Sequence, residues 1–297
     1  MSNFTLRQLR YFEAVARLGH FGQAADACAI SQPALSMQIK ELEDHLGQRL
    51  FERGARRISL TRFAETLLPD VRDVLRNIDT IGEKARVLRG GRLDQLRLGV
   101  IPTVAPYLLP AVIRNLTRDN PTLDLHIRET VTQRLISELA EGRLDAAIVA
   151  LPISEPALKE VALFTEDFVL VRPLADAHLP VPSRENLRAF RLLLLEEGHC
   201  FRDQALSFCN TGQTAPREIL EGSSLSTLVQ MVGAGIGVTL IPEMAIAVEM
   251  RSAPVAVARF SIEQPSRTIG MVWRKSSGLS DQLQRVADVV QQTAQGG

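Results

Sequence analysis

Cysteine is scarce in this chain: Cys28, Cys200 and Cys209 are the three among 297 residues. So low a number excludes a disulfide-braced scaffold, and in a reducing compartment a disulfide would be transient and functional. Long apolar runs are missing too. No stretch approaches the roughly 18 uninterrupted apolar residues of a membrane span. The segment from Met1 to Arg7 meets charge at once and lacks the apolar core of a secretory signal, so the expected location is the cytoplasm, away from any membrane. Net charge is absent as well, with 34 Lys+Arg against 34 Asp+Glu, and this by itself does not point to nucleic acid. Neither a repeat nor a low-complexity segment is visible. Gly233, Gly235 and Gly237 follow a helical stretch and precede a strand, the reverse of the order a phosphate-binding loop needs, so no cofactor is expected from them.

The length suggests two or three folding units. The charges are not evenly spread. Residues 1–90 carry 14 basic and 11 acidic side chains, and residues 91–297 carry 20 and 23. Arg53, Arg56, Arg57 and Arg62 fall within ten residues. This is a modest sign of anion binding by one end, although a solvated basic face would give the same count.

Apolar spacing predicts a helix over 5–18 (Leu6, Leu9, Phe12, Ala16), a short one through Phe21, Ala24, Ala25 and Cys28, and a third from about Gln32 to Leu46. Ser31 is its expected N-cap and Pro33 lies in its first turn. Cys28 falls on the apolar side and reads as core. Two short β-prone runs around Gly54 predict a hairpin. Residues 62–88 predict one long helix whose seam (Leu67, Val71, Leu75, Ile78, Ile81, Ala85) has few neighbours to cover it, so it reads as a linker that pairs with another subunit. From Gln95 onward strands and helices alternate, which predicts a parallel α/β sheet.

Two helices joined tightly over 21–40 suit a helix-turn-helix, which lays one helix in the major groove. Ser31, Gln32, Pro33, Ser36, Gln38 and Lys40 lie at the start or on the polar side of the second helix and suit base edges and phosphates. Arg53, Arg56 and Arg57 on the hairpin suit a wing on the phosphate backbone. Helical periodicity alone would fit a plain three-helix unit equally well. The ordered series Ala24-Ala25-Asp26, Ile30 to Glu43, Leu46-Gly47 and Leu50-Phe51-Glu52-Arg53 resembles the LysR-type transcriptional regulators, and the likeness covers the whole chain. It implies an α/β protein with three parts: a winged helix-turn-helix over 1–61, a linker and dimerisation helix over 62–92, and an effector domain over 93–297 resembling periplasmic binding proteins. The effector domain would have subdomain I at 93–164 plus 268–297 and subdomain II at 165–267. The implied partners are double-stranded DNA, a second pair of subunits in a homotetramer, and RNA polymerase as a further candidate.

His199 to Cys209 is the most informative stretch of the larger part. Two cysteines nine residues apart are most often inert apolar fillers. A zinc site fits poorly, since the spacing is not that of short ligand pairs and only His199 stands nearby, so no metal is expected. A reactive cysteine needs its thiolate stabilised, and His199, Arg202 and a helix N-terminus after Gly198 could each do so. Peroxide turns such a thiolate into a sulfenic acid, which a second thiol can capture. If residues 200–209 form one helix, their ends lie about 13.5 Å apart along its axis, whereas a disulfide needs Cα atoms within roughly 7 Å. A bridge would therefore require the helix to unwind.

The segments Gly198 to Ala205 with Phe208-Cys209, Ile101 to Pro110, Ser224 to Leu228 and Arg267 to Gly270 resemble the hydrogen-peroxide-sensing branch of the same family. That resemblance implies that Cys200 is the peroxidatic and Cys209 the resolving cysteine. It also implies that Thr103 and Thr132 hydrogen-bond the peroxide, with Asp203 and Arg267 supporting the pocket, and that hydrogen peroxide is the signal. The branch often has His after the threonine aligned with Thr132, where this chain has Gln133. Gln hydrogen-bonds but carries no proton charge. Thr103 and Thr132 both precede predicted helices and have a competing role as N-caps. Three other functions stay open beside the redox switch. They are a LysR-type regulator bound by a small organic ligand in the subdomain cleft, a thiol peroxidase, and a transporter's solute-binding protein. The helix-turn-helix argues against the last two.

Overall fold

The computed structural model describes residues 4–52, 58–88, 93–184, 186–209, 219–261 and 264–296. Two compact units emerge, Met1–Ala85 and Arg86–Gly297. Among the described residues no helix is long and apolar enough to cross a membrane.

The first unit opens with α1 (Leu6–Leu18), α2 (Phe21–Ala27) and α3 (Gln32–Leu46). Thr5 and Gln8 form a capping box at the start of α1, and Gly19 ends it in the left-handed region. The connection from α2 to α3 turns through Ala29 at φ 53°, and Ser31 then caps α3 by accepting from the Ala34 amide. Phe12, Leu35, Leu42 and Leu50 are fully buried in one core, and Phe12 and Phe21 both meet Phe51 edge-to-face. A bridge between Phe51 and Leu60 makes the stem of the predicted hairpin. Its tip, with Arg53, Arg56 and Arg57, lies outside the described residues.

Helix α4 (Arg62–Leu88) follows. Its expected uncovered seam is only partly so. Ala64, Leu68 and Val71 are buried in the core of this unit, and Leu67 and Leu75 pack against it. Further along, Ile81 is 66% exposed. The first turns of the helix thus complete a small domain, which sequence spacing alone could not reveal.

The second unit is built on two cores. Strands β1 (Gln95–Val100), β2 (Asp124–Glu129) and β3 (Ala146–Leu151) run parallel, with α5 (Ala105–Asp119) and α6 (Thr132–Ala140) between them. The long β4 (Leu158–Pro173) comes next, then β5 (Leu192–Leu195), α7 (Cys200–Cys209), β6 (Ile219–Gly222) and α8 (Leu225–Gly233). The chain finishes with β7 (Val238–Pro242), α9 (Ile246–Glu249), β8 (Val255–Ala258), β9 (Ser266–Arg274) and α10 (Ser280–Gln295).

The expected parallel sheet is in fact mixed. β9 runs antiparallel to both β3 and β4, and β4 runs antiparallel to β7 and β8. The reason is β4, whose residues up to Asp167 pair with β9 while those from Phe168 pair with β7 and β8. One strand therefore serves both halves. Val149, Ile269 and Trp273 belong to the first core, and Phe168, Leu193 and Leu240 to the second.

Close packing leaves little room at the second sheet. A Cβ added at Gly237 would be driven into the backbone carbonyl of Arg191, which cannot swing aside. Gly237→Ala is therefore expected to destabilise by about 1–3 kcal/mol, the usual cost of overpacking. Thermal unfolding checks this, and an unchanged midpoint would contradict it.

Candidate functional site

Cys200 is the first residue of α7, and a turn through Gly198 at φ 95° delivers the chain to it from β5. Glycine is the residue that tolerates that angle at no steric cost. Phe201, Ala205 and Phe208 bury one side of α7 in the second core. The half-buried Cys200 packs instead against the first core. The cysteine thus stands where the two cores meet, with its thiol free.

An open pocket of about 550 Å³ adjoins it. Thr132 and Gln133 from the start of α6, Leu151 at the end of β3, and Cys200, Asp203 and Gln204 from α7 contribute to its wall. The Thr132 hydroxyl and the Gln204 amide oxygen are both buried without a protein hydrogen-bond partner. Buried polar atoms left in that state carry a desolvation cost unless something else meets them. Here two of them border the same pocket as a thiol. Thr132 is also not an N-cap: Val131 holds that position and no side chain caps the helix.

Thr103 is not a cap either, since the N-cap of α5 is Val104. Its hydroxyl accepts from Arg267 Nη1 at 2.8 Å, and its carbonyl from Nη2 at 3.1 Å. Arg267 also donates through Nε to Glu166 Oε1 at 2.8 Å, and the two residues stand directly opposite across the β4–β9 pair. The Arg267 side chain is wholly buried and its guanidinium lies 5.3 Å from the centroid of Phe201, the residue after Cys200. Burial pushes the Glu166 carboxyl above its usual range, and Arg267 pulls it back only in part.

The remaining predicted residues are placed elsewhere. Arg202 donates to the Leu195 carbonyl at 3.0 Å and to Glu221 Oε1 at 2.6 Å. Its charge is therefore matched by a carboxylate. His199 is half-buried, and desolvation lowers its pKa despite the nearby Glu196. The neutral imidazole is thus favoured, which removes it as a fixed positive charge beside the thiol. For Cys209 the backbone closes α7, nine residues from Cys200, so the helical arrangement holds their Cα atoms about 13.5 Å apart along the axis. Burial raises the Cys28 thiol, which packs partly against the first unit's core.

Two residues of the site escaped the sequence reading. Gln204 was findable, because it stands one turn from Cys200 on the same face. Glu166 was not, because only the β4–β9 register sets it opposite Arg267. In the first unit, Gln32, Pro33, Ser36 and Lys40 are exposed together with the capping Ser31, whereas Gln38 is half-buried and donates to Glu41 at 2.8 Å.

A proton on His199 is disfavoured in the folded state, so the unfolded chain takes it up first. Stability held above the ordinary value of 6.5 is then lost as pH falls below it. In His199→Asn the unfolding midpoint is expected to fall less steeply between about pH 6.5 and 5. Identical slopes in the two proteins would contradict the burial of a neutral ring.

Comparison with known proteins places these features in context. Residues 6–65 match the model of the bacterial regulatory helix-turn-helix protein of the lysR family, and residues 89–295 that of the LysR substrate binding domain. A probable hydrogen peroxide-inducible genes activator of Streptomyces viridosporus is 42% identical over 288 residues, which cover 95% of this chain and 92% of that one. A full-length OxyR variant from Pseudomonas aeruginosa is 36% identical, with a TM-score of 0.78 over 98% of this chain and 95% of its own. A Corynebacterium glutamicum OxyR mutant with hydrogen peroxide bound is also 36% identical, with a TM-score of 0.67 over 98% and 93% of the two chains.

Proposed function

We propose, from the premise that this chain belongs to the LysR family of transcription regulators, that it is a peroxide-responsive regulator switched by oxidation of Cys200. The observation that carries this reading is the pocket that joins Cys200 to the unpartnered Thr132 hydroxyl and Gln204 amide oxygen. A peroxide both donates and accepts hydrogen bonds, so it can meet both groups beside the thiol. The Cys200 thiolate attacks one peroxide oxygen, the O–O bond breaks, and a sulfenic acid and water result. Cys209 then attacks the sulfenic sulfur and releases a second water. Because the helix holds the two cysteines far apart, the bridge requires α7 to unwind, pulling Phe201, Ala205 and Phe208 from the second core. Thr103, Asp203 and Arg267 support the site, and His199 and Arg202 frame it.

The readout is double-stranded DNA. Ser31, Gln32, Pro33, Ser36 and Lys40 form the exposed start of the recognition helix, and Gln38, half-buried and donating to Glu41, completes the set. Arg53, Arg56 and Arg57 are assigned to a phosphate-contacting wing. The assembly is a homotetramer, with the exposed part of α4 in the subunit contact. The domain limits are 1–61, 62–92 and 93–297, and the chain acts in the cytoplasm.

Thiol mapping by mass spectrometry before and after stoichiometric hydrogen peroxide tests the switch. A Cys200–Cys209 disulfide that thiol reductant reverses is expected, and unchanged free thiols would send the search to small organic ligands of the cleft. Cys200→Ser is expected to abolish the peroxide response of DNA binding while leaving binding itself intact. A fully responsive variant would overturn the assignment.

Replacing Arg56 and Arg57 with Ala is expected to weaken binding to many sequences alike. The slope of log affinity against log salt is expected to fall by about one for each phosphate that is no longer neutralised. Weakening confined to one base position would refute the phosphate role.

A further inference from the structure

The pocket beside Cys200 is far larger than its proposed ligand. Hydrogen peroxide has two heavy atoms and fills on the order of twice the ~30 Å³ that a water molecule claims in the liquid. The pocket measures about 550 Å³, within the range of sites that hold small organic molecules. Its wall is also of mixed character. Thr132, Gln204 and Cys200 contribute reactive and polar groups, while Ile136, Ala150, Leu151 and Ile153 contribute apolar surface. The latter three come from the end of β3 and its following loop, and both isoleucines pack on the first core, which keeps that surface in place.

We infer that this site also takes neutral organic hydroperoxides, with the O–O–H group at the Thr132 and Gln204 end and the alkyl or aralkyl body on the isoleucine wall. The inference rests on the peroxide reading above and extends its substrate class. The Cys200 thiolate attacks the terminal oxygen of ROOH. The S–O bond forms and the O–O bond breaks, so the sulfur loses two electrons and becomes a sulfenic acid. The departing RO⁻ takes a proton and becomes the alcohol ROH. Cys209 then displaces water from the sulfenic sulfur as before.

Charge sets the limit of this class. Glu155 and Asp203 border the pocket, and no Lys or Arg is among its described lining. A hydroperoxide bearing a carboxylate would meet like charge with nothing to pair it, so the neutral compounds are selected. Gln133 is part of the same wall and adds hydrogen bonding without charge.

The test is the rate of Cys200 oxidation in the full chain with hydrogen peroxide and with cumene hydroperoxide, followed on the Cys200 peptide by mass spectrometry. Free cysteine, measured alongside, supplies the intrinsic ratio of the two reagents. For Cys200 the cumene-to-hydrogen peroxide ratio is expected to equal or exceed that of free cysteine. Ile153→Trp fills the apolar surface and is expected to lower the cumene rate about tenfold while moving the hydrogen peroxide rate less than about threefold. Ile136→Phe repeats the test from α6.

A wild-type ratio about 100-fold below that of free cysteine would overturn the inference while leaving the hydrogen peroxide reading intact. Equal slowing of both reagents in both variants would overturn it too. If hydrogen peroxide leaves Cys200 unoxidised and cumene hydroperoxide oxidises it, the site is upheld and the trigger is reassigned. Failure of both reagents removes the redox reading itself, and the inference with it.

Discussion

The buried pair of Arg267 and Glu166 is the interaction on which the larger unit turns. It closes the β4–β9 crossing at the point where one sheet gives way to the other. Arg267 is wholly buried and Glu166 nearly so, so each depends on the other and on its remaining hydrogen bonds. Thr103 supplies two of those bonds from the loop ahead of α5, and the Met244 amide donates to Glu166 from the second half. Phe168 and Phe201 lie near the guanidinium as aromatic faces. One cation therefore ties together the first loop, both crossing strands and the residue next to Cys200. Removal of either partner would strand a buried charge, which is far costlier than removal of both.

That arrangement gives α7 two allegiances. Its apolar side belongs to the second core through Phe201, Ala205 and Phe208, while Cys200 leans on the first. Any chemistry at the thiol is thereby felt at the junction of two packed bodies, where interfaces shift in discrete steps. Tyr107 adds a second tie across the same junction. From α5 it packs against the second core and donates to the buried Glu249 at 2.7 Å, and burial together with that bond drives its pKa upward. Ser226 donates to the same carboxylate oxygen, so this contact too is fully hydrogen-bonded at Glu249 Oε1.

Much of the first unit was legible. Its helices announce themselves through apolar spacing, Ser31 as a cap and Pro33 in the first turn of α3, and the structure adds a capping box at Thr5 and left-handed glycines at both stops. These are local signals, each settled within a few residues. The half-burial of α4 was not legible, because Leu68 is covered by residues from other helices. Strand β4 misled for a related reason. Lys159, Glu160, Glu166 and Asp167 interrupt its apolar pattern, so by pattern alone only Val169 to Val171 reads as a strand. The charges are tolerated because the strand changes neighbours midway and because Glu166 finds Arg267.

What the sequence determined by itself is the type and order of the elements, the family likeness and the cysteine pair on one helical stretch. Those follow from propensity, periodicity and motif, which act over short range. Only the tertiary structure decided what the threonines do. Thr103 is bound to a buried arginine 164 positions away, and Thr132 is left unpartnered at a pocket beside Cys200. Either could have been a helix cap on local grounds. The difference lies in strand pairing and in the meeting of two cores, which bring distant residues together at angles no local pattern encodes.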